Sequence, residues 1–204
     1  MKNIFLTTLF LLISIGYIKA QSPDQNQFKH KVLGFQIDYP KTWTVNSVDD
    51  YYANMDRVKL QDSAFDEMIK KSASIPFFFI SKFKEPYEDL NPSIKINTRP
   101  YGNLKGKSLT EILNIIIPQF EKLFANFKVQ EGPIEKNLDG LNATYVKFYY
   151  SLKTKEGKEY LSCSEMYMID KGNYFYMIGV GSKQDESNCK RSEILDILKT
   201  IKLN

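Results

Sequence analysis

Histidine and cysteine are nearly missing from this chain of 204 residues, which has one of the first, His30, and two of the second, Cys163 and Cys189. That count excludes a zinc centre built from histidine and cysteine ligands in the usual number. A single imidazole also leaves little for a histidine-dependent acid–base mechanism. A strong charge of either sign is absent as well. Lysine and arginine number 28 against 24 aspartates and glutamates, a formal +4 that argues for neither nucleic acid nor an acidic membrane surface. No G-x-S-x-G elbow occurs, so a serine hydrolase lacks its motif. After residue 20 no apolar run approaches the ~20 residues of a membrane span. With 43% hydrophobic and 25% charged residues, whole-chain disorder and fibrous repeats are excluded too.

What the chain has in excess is aromatic: 13 tyrosines, 14 phenylalanines and one tryptophan make up 14% of it. Its first 20 residues have the make-up of a secretory signal. Lys2 supplies a positive start, Ile4 to Ile18 is mostly apolar, and Ala20 offers a small residue ahead of Gln21. The expectation is an exported protein, periplasmic or extracellular, whose mature chain begins at Gln21. In an oxidising compartment an even pair of cysteines favours a disulfide, and closing the Cys163–Cys189 loop would stabilise by ~3.5 kcal/mol.

Residues 21–31 are polar and aperiodic and read as a leader into one domain, 32–204. Phe35, Ile37 and Tyr39 alternate with Gln36 and Asp38 at the period of a half-buried strand that Pro40 ends, and Trp43 to Val45 resumes an extended course. Phe65, Met68 and Ile69 recur at helical spacing between Asp62 and Lys71. Pro76–Phe83 and Ser93–Thr98 read as paired strands. Ser108 and Glu111 form a capping box ahead of Leu109, Ile112, Leu113, Ile116, Phe120, Leu123, Phe124 and Phe127, which share one helical face. Pro118 lies inside that helix and is expected to kink it. Leu141–Lys153, Glu159–Ile169 and Tyr174–Val180 are three strands joined by short turns, and apolar residues occupy both of their alternation sets. That pattern fits a sheet covered on both faces. Ile194, Leu195, Leu198 and Ile201 mark a closing helix. The expected fold is α+β, an antiparallel sheet with helices on both faces, that is, an α/β/α sandwich.

The string Gly34-Phe35-Gln36-Ile37-Asp38-Tyr39-Pro40-Lys41-Thr42-Trp43-Thr44-Val45 resembles the first hairpin of PsbP-like domains, and Ile194 to Leu203 is similar to their last helix and terminal strand. The likeness spans residues 32 to 203. It implies an antiparallel sheet between helices, and a fold used mainly for binding and assembly, as in extrinsic photosystem subunits and a Ran-binding protein.

Candidate chemistry is sparse. Gly102 to Ser108 misses the phosphate-loop spacing by one residue, which excludes a nucleotide site. The free amides at the following helix start, with Arg99, Lys105, Lys107 and Ser108 close by, form a candidate anion or partner loop. Gly179-Val180-Gly181 is a lone G-x-G, better explained by close packing of a strand. His30 is expected to be a solvated ring. Tyr145, Tyr149, Tyr167, Tyr174 and Tyr176 form a candidate aromatic surface, because tyrosine serves where a face must be apolar and hydrogen-bonding at once. With no catalytic, metal or cofactor residues assigned, the expected function is binding of a protein or cell-envelope component. The alternative is a small-ligand carrier with an aromatic-lined pocket between sheet and helix. An enclosed apolar cavity would favour the carrier, and an exposed aromatic patch over a filled core the partner binder.

Overall fold

The computed structural model describes residues 24–57 and 75–204. The signal-like residues 1–20 and the helix expected between Asp62 and Lys71 lie outside the described residues. Along the chain run β1 (Gln25–His30), β2 (Phe35–Pro40), β3 (Thr44–Val45), α1 (Val48–Arg57), β4 (Phe78–Ser81), β5 (Ser93–Pro100), α2 (Leu109–Leu123), β6 (Ala125–Leu138), β7 (Leu141–Lys153), β8 (Glu159–Asp170), β9 (Tyr174–Lys183), α3 (Arg191–Leu198) and β10 (Lys202–Leu203). The architecture is α+β and every strand pair is antiparallel. The strands form two sheets where one was expected. Three strands run in the order β1-β2-β10, and seven in the order β3-β4-β5-β9-β8-β7-β6.

Both alternation sets of β7, β8 and β9 are buried, as their composition requires. One hydrophobic cluster joins Leu109, Ile112 and Leu113 of α2 to Val146, Phe148, Met168 and Phe175. The other holds Tyr167, Tyr176 and Ile178 of the large sheet, together with Phe35, Ile37 and Tyr39 of β2 and Ile194, Ile197 and Leu198 of α3. That second layer is therefore a small sheet with a helix, not helices alone.

Residues 25–30, read from sequence as leader, are strand β1. Its polar composition is that of an edge strand: Phe28 stacks on Phe78 with ring centres 4.3 Å apart, Gln27 donates to Asp38 at 2.7 Å, and Gln25, Asn26 and Lys29 face water. His30 is not a free ring, since its Nδ1 accepts the Leu33 amide at 3.2 Å and its edge meets Phe77.

The Ser108–Glu111 capping box is complete, and α2 carries Pro118 inside it. The helix ends at Leu123. Phe124 is its C-cap and Phe127 belongs to β6, both folding back beside Phe120. A bulged 14-residue strand therefore begins where the helical pattern was expected to continue.

Candidate functional site

The five tyrosines separate in the structure. Tyr145, Tyr167 and Tyr176 are core residues with no more than 1% exposure, which removes them from any surface. Tyr174 is half-buried, its ring edge against Tyr176. Tyr149 is half-buried at the far end of β7, and Lys147 Nζ lies 5.4 Å from its ring centre. The hydroxyls of Tyr145 and Tyr167 both donate to Glu165 Oε2 at 2.9 Å, which explains why phenols are used in this core. Arg191, opening α3, grips the same carboxylate with Nε and, at 2.8 Å, with Nη2. Burial would raise the Glu165 pKa, but the Arg191 guanidinium and the two phenols outweigh it and hold the carboxyl below its ordinary range. Burial, then the Glu165 charge, pushes both phenols far above theirs. This network is closed within the protein, and it anchors α3 to the sheet.

The cysteines are both buried and both free, so the expected Cys163–Cys189 disulfide is not formed. Cys163 lies within β8 opposite Tyr149 and Ser182. Cys189 precedes α3, its thiol 3.7 Å from Glu193 Oε2, and burial followed by the Glu193 charge raises its pKa to about 11.

The candidate anion loop is also occupied by the protein itself. Glu111 accepts the Ser108 amide at 2.7 Å and its hydroxyl at 2.8 Å, so a carboxylate already fills the start of α2. Arg99 is half-buried near the end of β5, while Lys105, Lys107 and Ser108 are exposed, and no ion pair joins the three basic residues to described acids.

A concavity does form at the opposite end of the large sheet. A cleft of about 750 Å³ opens where β8 begins and β9 ends, beneath the loop 82–92. Tyr149, Tyr160, Leu161 and Leu90 give it apolar walls, and Leu161 is 55% exposed. The loop is rigidly pinned. Phe83 stacks on Tyr87 at 4.5 Å, and Asn91 both accepts from the Phe83 amide at 3.1 Å and donates to its carbonyl at 2.8 Å. From the sheet, Lys183 pairs with Asp89 at 3.0 Å, and Lys158 Nζ donates to the Glu88 carbonyl at 2.6 Å. These contacts set the charges of the rim. Although burial opposes it, the Lys183 ammonium holds Asp89 below its usual range, and Asp89 in turn raises Lys183. The Ser187 amide lowers Asp185, and Tyr160 raises Lys158. The result is an apolar slot with a rim of fixed charges of both signs. Of the residues singled out from sequence, only Tyr149 lines it. The rest come from three separate chain segments, 88–90, 158–161 and 183–185, which no local motif unites.

No protein-family model matches the chain, and no curated protein matches it in sequence. Solved structures do. LpqN of Mycobacterium tuberculosis, described as involved in cell envelope biogenesis, matches at TM-score 0.50 and 14% identity, over 88% of this chain and 90% of that one. Cyanobacterial PsbP of Synechocystis matches at TM-score 0.49 and 10% identity, over 95% and 99%. A protein of Bacteroides thetaiotaomicron matches at TM-score 0.46 and 12% identity over 89% of this chain, which spans 49% of that longer one. At these identities the likeness is one of fold alone, and LpqN at TM-score 0.50 carries it. Among the described residues no helix is long and apolar enough to cross a membrane.

Proposed function

We propose that this chain is an exported, non-catalytic binding domain, an α/β/α sandwich of PsbP-like build, which takes a protein or cell-envelope component in the cleft beneath the loop 82–92. The observation that carries the reading is the cleft itself: about 750 Å³, apolar on its walls, with Leu161 standing half out of the surface and a rim of paired charges. Apolar walls within a polar rim are the anatomy of a recognition surface. Four of its titratable groups are held in their charged forms. Asp89 and Asp185 are stabilised as anions and Lys158 and Lys183 as cations, so each is moved away from the neutral form that a proton donor or acceptor alternates with. The described role of LpqN in cell envelope biogenesis supports the envelope as the setting.

The test is a photo-crosslinking amino acid placed at Leu161, with the same residue at exposed Lys202 as control, in cells of the native host. The expected result is one discrete adduct from position 161 that is absent from position 202 and suppressed by Lys183→Glu. Identical adduct patterns at both positions would remove the cleft from consideration.

A further inference from the structure

The α2-bearing face of the large sheet carries a second concavity, next to the cleft and sharing Leu90 with it. It is a trough of about 360 Å³ running across β5, β9, β8 and β7. Its floor is made of small side chains in register: Ser93 lies beside Gly181 and Gly181 beside Ser164, while Lys95 lies beside Gly179 and Gly179 beside Met166. Gly179 in particular is not explained by any described residue. Neither glycine has a positive φ, a Cβ on Gly179 would meet nothing nearer than the Lys95 carbonyl at 3.9 Å, and one on Gly181 only the Ser93 hydroxyl at 3.3 Å. Glycine inside a strand costs about 0.5–1 kcal/mol and marks a place where something approaches the backbone closely. Gly181 has the Ser93 hydroxyl close by, but at Gly179 no described residue comes so near.

Two polar groups point to what does. Ser162 is 3% exposed, lies on the same face two residues before Ser164, lines the trough, and its Oγ has no well-aligned hydrogen-bond partner beyond the neighbouring Tyr150 hydroxyl. Buried hydroxyls are otherwise nearly always satisfied. Lys95 is half-buried, its ammonium held 4.9 Å from the Phe79 ring centre and 5.2 Å from that of Tyr51, and no ion pair with a described residue closes on it. Burial lowers its pKa, opposed by the Glu85 charge. Glu165 borders the trough, but its carboxylate is engaged by Arg191. Tyr150 completes the wall, its hydroxyl 3.1 Å from Ser164 Oγ. An ammonium with no described counter-ion, a row of hydroxyls and a bare glycine floor beside Met166 and Phe148 form one receptor chemistry.

We infer that this trough binds a small organic anion. Lys95 and the serine hydroxyls take the anionic head, and a flat apolar body lies over Gly179 and Gly181. This gives a site and a ligand class to the small-ligand alternative, and it does not depend on the cleft reading, because Lys95 and Gly179 are not cleft residues.

The experiment is a titration of the full mature chain with phenylacetate, benzenesulfonate and phenyl phosphate, followed by amide NMR. The neutral control is 2-phenylethanol, and acetate tests the head alone. At least one aromatic anion is expected to shift the Gly179 and Gly181 amides saturably, with 2-phenylethanol and acetate at least tenfold weaker. Lys95→Met is expected to weaken the anion at least tenfold while leaving the melting temperature unchanged or higher, because it removes an unpaired, partly desolvated charge. Gly179→Val is expected to block binding, also without lowering the melting temperature. Three outcomes would each overturn the inference: no saturable shift with any of the three anions, undiminished binding in Lys95→Met, or a Gly179→Val protein that loses stability and so shows that the fold needs that glycine. Crosslinking from Leu161 is expected to be unaffected by either variant, so the two proposals fail separately.

Discussion

Glu165 shows how much one buried residue holds together. Its carboxylate accepts two phenols and a guanidinium, and Arg191 is the first residue of α3. Glu165→Gln leaves Arg191 without its counter-ion. The expected cost is about 3 kcal/mol, the low end for breaking a buried pair, since the arginine side chain keeps 29% of its exposure. The pH dependence has a definite sign. The folded pKa of Glu165 lies below the unfolded one, so the pair stabilises fully at neutral pH and its contribution is lost as pH falls through the folded value. The gap in denaturant midpoint between wild type and Glu165→Gln should therefore begin to narrow only below about pH 4, near the ordinary carboxylate pKa, and close at lower pH. A constant gap down to pH 2 would contradict the network.

The cysteines mark what residue-scale reading of a sequence cannot do. An even count and an export signal argue for a disulfide, but bonding depends on a separation that parity does not encode. Burial raises both thiol pKa values, that of Cys189 to about 11, and so keeps both inert. Thiol labelling of unreduced protein should give two equivalents after denaturation and almost none before. One or zero equivalents after denaturation would show that a bond forms.

At the scale of elements, β7, β8 and β9 were legible because burial on both faces leaves a two-sided apolar pattern in the chain. The start of α2 was legible because its cap is local. Strand β6 was not, since an edge strand with three register shifts carries no clean alternation, and Phe124 and Phe127 continue the helical spacing by coincidence. A signal for it existed nonetheless. Asp139 and Gly140, with φ of 48° and 92°, are a two-residue hairpin turn between Leu138 and Leu141. Within β6, Gly132 has φ of 90°, and a Cβ there would lie 2.3 Å from the Tyr145 carbonyl oxygen. Gly140 has open space around it at a similar φ. Gly140→Ala should thus cost only the left-handed backbone penalty of about 1–2 kcal/mol. Gly132→Ala should add about 1–3 kcal/mol of overpacking to that. Equal losses in chemical denaturation would show that the bulge relaxes freely.

At the scale of the molecule, the cleft and the trough were illegible in sequence because each is assembled by register from segments far apart, and nothing in a single strand marks a concavity. The same long-range assembly bears on cooperativity. Trp43, the one tryptophan, is buried in the cluster that joins both sheets. Its indole N–H donates to Glu193 at 2.8 Å across 150 residues, and Lys82 reaches the same carboxylate at 2.7 Å. One carboxylate thereby links α3 to the entry of β3 and the exit of β4. If the small sheet were a separate unit, Trp43 would report its melting before the seven-stranded sheet lost its backbone signal. Because β2 and α3 share their apolar side chains with Tyr167, Tyr176 and Ile178, the small sheet loses its buried face and the large sheet one of its two when the layers part. Tryptophan fluorescence and far-ultraviolet circular dichroism should therefore give coincident denaturation curves, the mark of a two-state unit. Glu193→Gln should shift both curves together, by about 1–2 kcal/mol for a lost charged hydrogen bond. A fluorescence transition that separates from the dichroism in that variant would show that the layers unfold one at a time.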